Sequence, residues 1–178
     1  RTMREGVHMK EKIRIENWRL AWLENAEVKA KDIDLRTPSD VLMGGYPTIE
    51  ASVPGNLELD FMREGIIEDI YFGENSVKMQ KLENLHLYYF TKFTYAKKEG
   101  FDSALVFEGV DTVAEIFIDG EKVGFVENMF HAHSFSLQNL TEGEHTLLVH
   151  IIPAAIYARQ FELPAMCFGL KYNHDATE

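Results

Sequence analysis

Residues 105–130, LVFEGVDTVAEIFIDGEKVGFVENMF from Leu105 to Phe130, decide the fold of this chain. Val113, Glu115, Phe117 and Asp119 alternate with Ala114, Ile116 and Ile118, the period-two pattern that sends successive side chains to opposite faces of a strand. Asp119-Gly120 then predicts a hairpin through a type I′ turn, which needs positive φ at both central residues; Asp tolerates that conformation and Gly adopts it without a Cβ penalty. Lys122–Val126 is the return strand.

Strands extend in both directions from this hairpin. Upstream, Leu85–Tyr95 is a long aromatic-rich strand with Leu87, Tyr89 and Phe93 on one face, and Ser103–Gly109 is nearly continuously apolar. Both suit central positions in a sandwich. Lys12–Leu23 is strand-like, with Ile13, Ile15, Trp18, Leu20 and Trp22 alternating with polar residues across a break near Asn17. Lys29–Tyr46 reads as irregular, interrupted by Pro38 and Gly44-Gly45. A short helix is expected after Pro54-Gly55: Asn56 caps it, Glu58 and Asp60 occupy its electropositive first turn, Arg63 lies near its end and Gly65 takes the left-handed position. Leu57 and Phe61, four residues apart, share a face of that helix. Asn75–Asn84 is a second helical turn. Downstream, Ser134–Leu137 and His145–Ile152 are strands separated by the turn-forming Thr141-Glu142-Gly143-Glu144, and Pro153 opens a helix to Gln160. Short strands, frequent turns and few helices predict an all-β fold, an antiparallel β-sandwich.

Phe107-Glu108-Gly109-Val110-Asp111-Thr112, Asp119-Gly120, Gly124 and Asn128-Met129-Phe130 together resemble the N-terminal domain of family 2 glycoside hydrolases, the β-mannosidase branch in particular. Ala51-Ser52-Val53-Pro54-Gly55, Gly65-Ile66-Ile67-Glu68-Asp69, Tyr71-Phe72-Gly73-Glu74-Asn75 and Ile152-Pro153-Ala154 to Ala158 resemble the same branch in the same order. The resemblance runs from about Trp18 to the last residues. It sharpens the sandwich to a jelly roll of the galactose-binding-like type over residues 12–178, with residues 1–11 as an N-terminal extension. The departures are Ile70 where relatives often have proline, Leu87 where they have tryptophan, and Asp119 for a common asparagine. Asp119 preserves the turn chemistry; Leu87 marks a divergent member.

With 178 residues, 46% of them hydrophobic, the chain is large enough to bury a proper core. Its 18 Lys and Arg against 29 Asp and Glu, a formal net charge of -11, make nucleic acids and anionic membranes poor partners, whereas a neutral sugar is compatible. The single cysteine, Cys167, cannot form an intrachain disulfide, so nothing requires an oxidising compartment. Residues 1–12 contain no apolar leader-like segment and no stretch approaches a membrane span. A cytoplasmic location is the expectation.

Glycoside hydrolysis needs two carboxylates facing each other across the scissile bond, about 5 Å apart in retaining enzymes. The acids here fall mostly at turns and on solvated faces, and Asp111 reads as bonding nearby backbone amides. The resemblance implies that the catalytic glutamates lie in a (β/α)8 barrel beyond this domain, after an immunoglobulin-like domain. It also implies that the chain stops short of a Gly-Trp-Asp segment which reaches into the active site. No catalytic residue is therefore expected among these 178, and neither a cofactor nor a metal. What remains is a contribution to the rim of a sugar site, for which Tyr71, Glu74, Asn75 and Asn128 are the candidates. Glu74 and the two Asn side chains can accept from or donate to sugar hydroxyls, and Tyr71 can stack on a pyranose ring. Structural roles stand beside these: Asn75 as a helix cap, Asn128 as a turn former, Tyr71 as loop filling.

His131 and His133 fall on one strand face, without a third ligand. Trp18 and Trp22 read as packing in preference to a stacking platform, and Cys167 as a small apolar residue. Two other functions fit the same resemblance: a free-standing carbohydrate-binding module, and the equivalent domain of a β-galactosidase or β-glucuronidase.

Overall fold

A computed structural model of the protein describes residues 11–68 and 79–161. Its axis is β3 (Leu85–Tyr95), whose alternating sequence buries residues on both sides. On one flank it pairs antiparallel with β1 (Arg19–Glu24), which in turn pairs with β2 (Thr48–Glu50). On the other it pairs with β8 (Gly143–Ile152), then β5 (Val113–Ile118), then β6 (Glu121–Val126). The order β2-β1-β3-β8-β5-β6 makes a six-stranded sheet, and β4 (Ala104–Phe107) with β7 (His133–Ser136) makes a two-stranded one over it. This is the expected antiparallel β-sandwich.

Parity along the strands assigns the core. Ala114, Ile116, Ile118, Leu147 and Val149 of the large sheet meet Leu105 of β4, with Phe107 and Phe135 packed at the margin. The same face continues under β1 and β3 as Leu20 and Leu85, covered by Leu57 and Phe61 of α3 (Leu57–Arg63). Ala21, Leu23, Tyr88, Phe90, Phe117 and Leu148 point the other way and are roofed by Leu35 and Val41. Trp18 is 8% exposed, with its indole N–H donating to the Ile15 carbonyl, and Trp22 packs edge-on against Phe61 at 4.6 Å. Both tryptophans pack as read from the sequence.

The turn after β5 has φ of 50° at Asp119 and 84° at Gly120, the two positive values of a type I′ hairpin. α3 begins as expected, with the Asn56 side chain accepting from the Leu59 amide at 2.9 Å. Asn17, with φ of 57°, interrupts the N-terminal segment, and regular strand begins only at Arg19. The helical turn expected over Asn75–Asn84 is a 3-10 helix at Met79–Asn84, its first residues lying outside the described ones. α4 (Ala154–Ala158) follows Pro153.

Two expectations are corrected. Lys29–Tyr46 is not irregular: it contains the end of α1 (Asn25–Lys31) and the whole of α2 (Pro38–Met43). Pro38 starts α2 instead of breaking structure, because its missing N–H falls in the first turn, where no intrahelical acceptor exists. Thr37 and Asp40 close a reciprocal capping box around it. The strand at Ser103–Gly109 is not central either. It is four residues long and, among the described residues, pairs only with β7, and Val106 is 53% exposed.

Candidate functional site

Antiparallel pairing of Ala114 with Val126 and of Phe107 with His133 brings the ends of β6 and β4 and the starts of β5 and β7 to one end of the sandwich. Two loops cap that end, residues 108–112 and 127–132; a Cβ placed on Gly109 would lie 3.5 Å from the Met129 carbonyl. Asn128 sits in the second loop. Its Oδ1 accepts from the Phe130 amide at 2.8 Å and its carbonyl pairs with His133 Nε2 at 2.9 Å. The side-chain oxygen therefore shapes a turn, while the amide NH2 points no described bond at the protein and can donate outward. Met129 and Phe130 beside it are exposed, Phe130 at 85%. β8 ends here as well and feeds α4, whose Tyr157 hydroxyl donates to Glu127 and whose ring lies 6.1 Å from Phe125. Tyr71, Glu74 and Asn75 lie outside the described residues, as does Cys167. Among the described residues, Asp111 accepts from the Thr112 hydroxyl and not from the backbone amides expected.

A second polar array, absent from the sequence reading, crosses the outer face of the large sheet. Cross-strand register puts Tyr88 beside His150 and His150 beside Glu115. His86 Nε2 lies 3.2 Å from Asn25 Oδ1, and His86 Nδ1 lies 2.8 Å from His150 Nε2. His150 Nδ1 is 3.5 Å from Glu115 Oε2, and Lys122 Nζ is 2.5 Å from Glu115 Oε1. Tyr88 stacks flat on the His150 ring at 4.4 Å and an interplanar angle of 8°. Burial, reinforced by the charges of His150 and Lys29, depresses His86 to about 4. The His150 hydrogen bond, together with Lys122, holds Glu115 down at about 2 against the opposing effect of burial. The only sequence signal was a histidine at an otherwise apolar position in each of β3 and β8; their meeting depends on register.

A glycosidase acid must hold a proton near neutrality, so its pKa is raised. Glu11, Asp40, Glu108, Glu115 and Asp119 all move downward, each held by hydrogen-bond donors or cations. That is the chemistry of structural carboxylates. Their partners are Lys98 for Glu11, Lys12 for Glu108, and His145 with Thr146 for Asp119. His133 Nε2 is engaged with the Asn128 carbonyl, and no group of three metal-ligating side chains occurs among the described residues.

Residues 20–174 match the family model described as the glycosyl hydrolase 2 galactose-binding domain-like domain. A β-mannosidase of Rattus norvegicus is 29% identical over 128 residues, 67% of this chain and 14% of that protein. β-Mannosidase A of Emericella nidulans is 30% identical over 93 residues, 52% of this chain and 10% of that protein. The crystal structure of the β-D-mannosidase of Dictyoglomus thermophilum superposes with a TM-score of 0.62 at 28% identity, covering 82% of this chain and 16% of that one. The chain thus spans a small fraction of these relatives' length. No helix among the described residues is long and apolar enough to cross a membrane. With the sandwich, its hairpin and its helical roof in place, the match over residues 20–174 means that this chain belongs to the glycosyl hydrolase 2 galactose-binding domain-like family.

Proposed function

We propose that this domain is the sugar-binding-type brace of a retaining β-mannosidase, and that hydrolysis of terminal β-mannosides takes place on a barrel carried elsewhere in a longer polypeptide. In this reading, residues 12–178 form the jelly-roll domain and residues 1–11 an extension. The barrel and an immunoglobulin-like domain are its intramolecular partners, and the protein works in the cytoplasm without a cofactor. The observation that supports it best is the likeness to the Dictyoglomus thermophilum β-D-mannosidase, which extends over 82% of this chain yet only 16% of that enzyme. The downward-shifted carboxylates fit the same division of labour, because none of them suits proton donation to a leaving group.

At the loop end of the sandwich, Asn128 offers its amide N–H groups to sugar hydroxyls; Tyr71, Glu74 and Asn75, outside the described residues, are the further sugar contacts this reading assigns. A rim of this kind binds substrate and transition state alike, so its loss raises KM more than it lowers kcat. The test is expression of the whole open reading frame beside the 178-residue chain, assayed with aryl β-mannoside, β-galactoside and β-glucuronide. The long protein is expected to prefer the mannoside, and Asn128→Ala to raise its KM severalfold. Turnover by the 178-residue chain alone, or preference for another glycoside, would overturn the reading.

A further inference from the structure

α1 is weakly held on the sheet it covers. Seven residues are too few for a helix that is stable by itself, none of them is buried, and its N-cap Glu24 makes no side-chain capping bond. Val28 touches the outer core cluster, and the Asn25 side chain reaches His86. That polar tie is the end of a chain running through His150 and Glu115 to Lys122.

The chain has room for one extra proton and no more. Glu115 can only accept, so the tautomer of His150 that profits from its 3.5 Å approach to Glu115 carries a proton on Nδ1. With both rings neutral, His150 Nε2 then accepts from His86 Nδ1, and His86 Nε2 accepts from the amide of Asn25 in its other orientation. With one proton added, His150 Nε2 donates to His86 Nδ1, and His86 Nε2 donates to Asn25 Oδ1. A second proton would set two N–H groups against each other across a separation that measures 2.8 Å, with the rings stacked at a centroid distance of 5.1 Å. The surroundings add to this. Lys29 of α1 faces His86, Lys122 of β6 and Arg36 before α2 face Glu115, and Asp34 and Tyr46 face the Tyr88 hydroxyl beside them. β1 presents Leu23 at the register position of His86. Among the described residues Glu115 is the one carboxylate within reach of the imidazole pair, and Lys122 and His150 already occupy it.

We propose that the His86–His150 pair is a proton-sensitive latch: double protonation parts the two rings, breaks the Asn25 tie and releases α1 from the outer face of the sheet. Because burial lowers the His86 pKa from an ordinary 6.5 to about 4, the bias toward release builds as pH falls through that interval. The released state takes up the second proton readily, whereas the latched state resists it, so acid favours release.

Amide hydrogen exchange on the 178-residue chain, corrected for intrinsic rates, tests the latch between pH 6 and pH 4. Protection over residues 25–31 is expected to fall about tenfold or more while that of β8 changes little. In His86→Gln, the change over α1 should shrink to about twofold or less, since the imidazole whose protonation drives it is gone. Should His86→Gln not fold, Asn25→Ala cuts the same tie without touching the sheet. Its α1 should be less protected at pH 7 and equally so at pH 4. Unchanged α1 protection in the unaltered protein, or an equal fall in the available variant, would overturn the proposal.

Discussion

Tyr88 is fully buried, and its hydroxyl has no hydrogen-bond partner among the described residues. An unpaired buried hydroxyl costs more than the contacts of its oxygen return, so Tyr88→Phe should leave stability unchanged or raise it by up to about 1–2 kcal/mol. Urea titration at pH 7 checks this, and a clear loss would mean that the hydroxyl is satisfied. Asp60 is the opposite case. At 1% exposure it accepts twice from the Ser52 amide, at 3.0 and 3.2 Å, and once from Arg63 at 2.8 Å. Arg63 carries the tie on to the Ser52 hydroxyl and the Glu50 carbonyl. Asp60→Ala leaves the Ser52 amide without its acceptor, whereas Arg63, half-exposed, can turn to water. The expected loss is about 2 kcal/mol, seen as a lower urea midpoint with unchanged slope. Asp60 was legible as a first-turn acid of α3. Its clamp on Ser52 was not, because that depends on how the loop after β2 folds back on the helix.

At the scale of elements, the Asp119–Gly120 hairpin is locked to the start of β8. Asp119 Oδ1 accepts from the amide and hydroxyl of Thr146, and Oδ2 lies 2.6 Å from His145 Nδ1. His145 Nε2 faces the Thr141 carbonyl at 2.8 Å. Both ring nitrogens meet acceptors, so the geometry selects the imidazolium. The Asp119 hydrogen bond raises the His145 pKa against the effect of burial. A folded value above the unfolded one, about 6.5, makes the stabilisation complete below that pH and loses it as pH rises through the raised value. His145→Gln should therefore cost about 1 kcal/mol at pH 6, with the difference from the unaltered protein shrinking above pH 7 in a series of urea titrations. For Asp119, burial alone would raise the pKa, but the bonds from His145 and Thr146 outweigh it and the carboxyl ends below its ordinary 3.8. Its contribution is present above that value and disappears as pH falls through the lowered one.

The same scale explains the misread region. Thr37-Pro38-Ser39-Asp40 is a capping box followed by Val41, and that signal was present in the residues. Proline breaks a helix only beyond its first turn, and Pro38 stands in that first turn. α1 offered less to read, since a seven-residue helix without buried residues has no apolar stripe to detect.

In the whole molecule, Ile116 sits at 0% exposure in the layer that joins the large sheet to the small one. Ile116→Ala should cost about 2–5 kcal/mol, as cavity formation in a close-packed core does. Val106→Ala, on the exposed face of β4, should stay within about 0.5 kcal/mol. Comparable losses at the two positions in thermal or urea unfolding would contradict the layered core.

The residues alone determined every described strand except β2, the hairpin turn, the α3 cap and the family, since each follows from local periodicity, from φ preferences or from motifs in linear order. Leu85–Tyr95 begins and ends where its pattern does. Only the tertiary structure decided that β4 lies in a two-stranded sheet, because a short apolar run looks the same at the edge of a sandwich as at its centre. It alone also brought Asn25, His86, Glu115, Lys122 and His150 into one array. Those residues come from five elements, and a one-residue slip in any strand pairing would send its member to the opposite face.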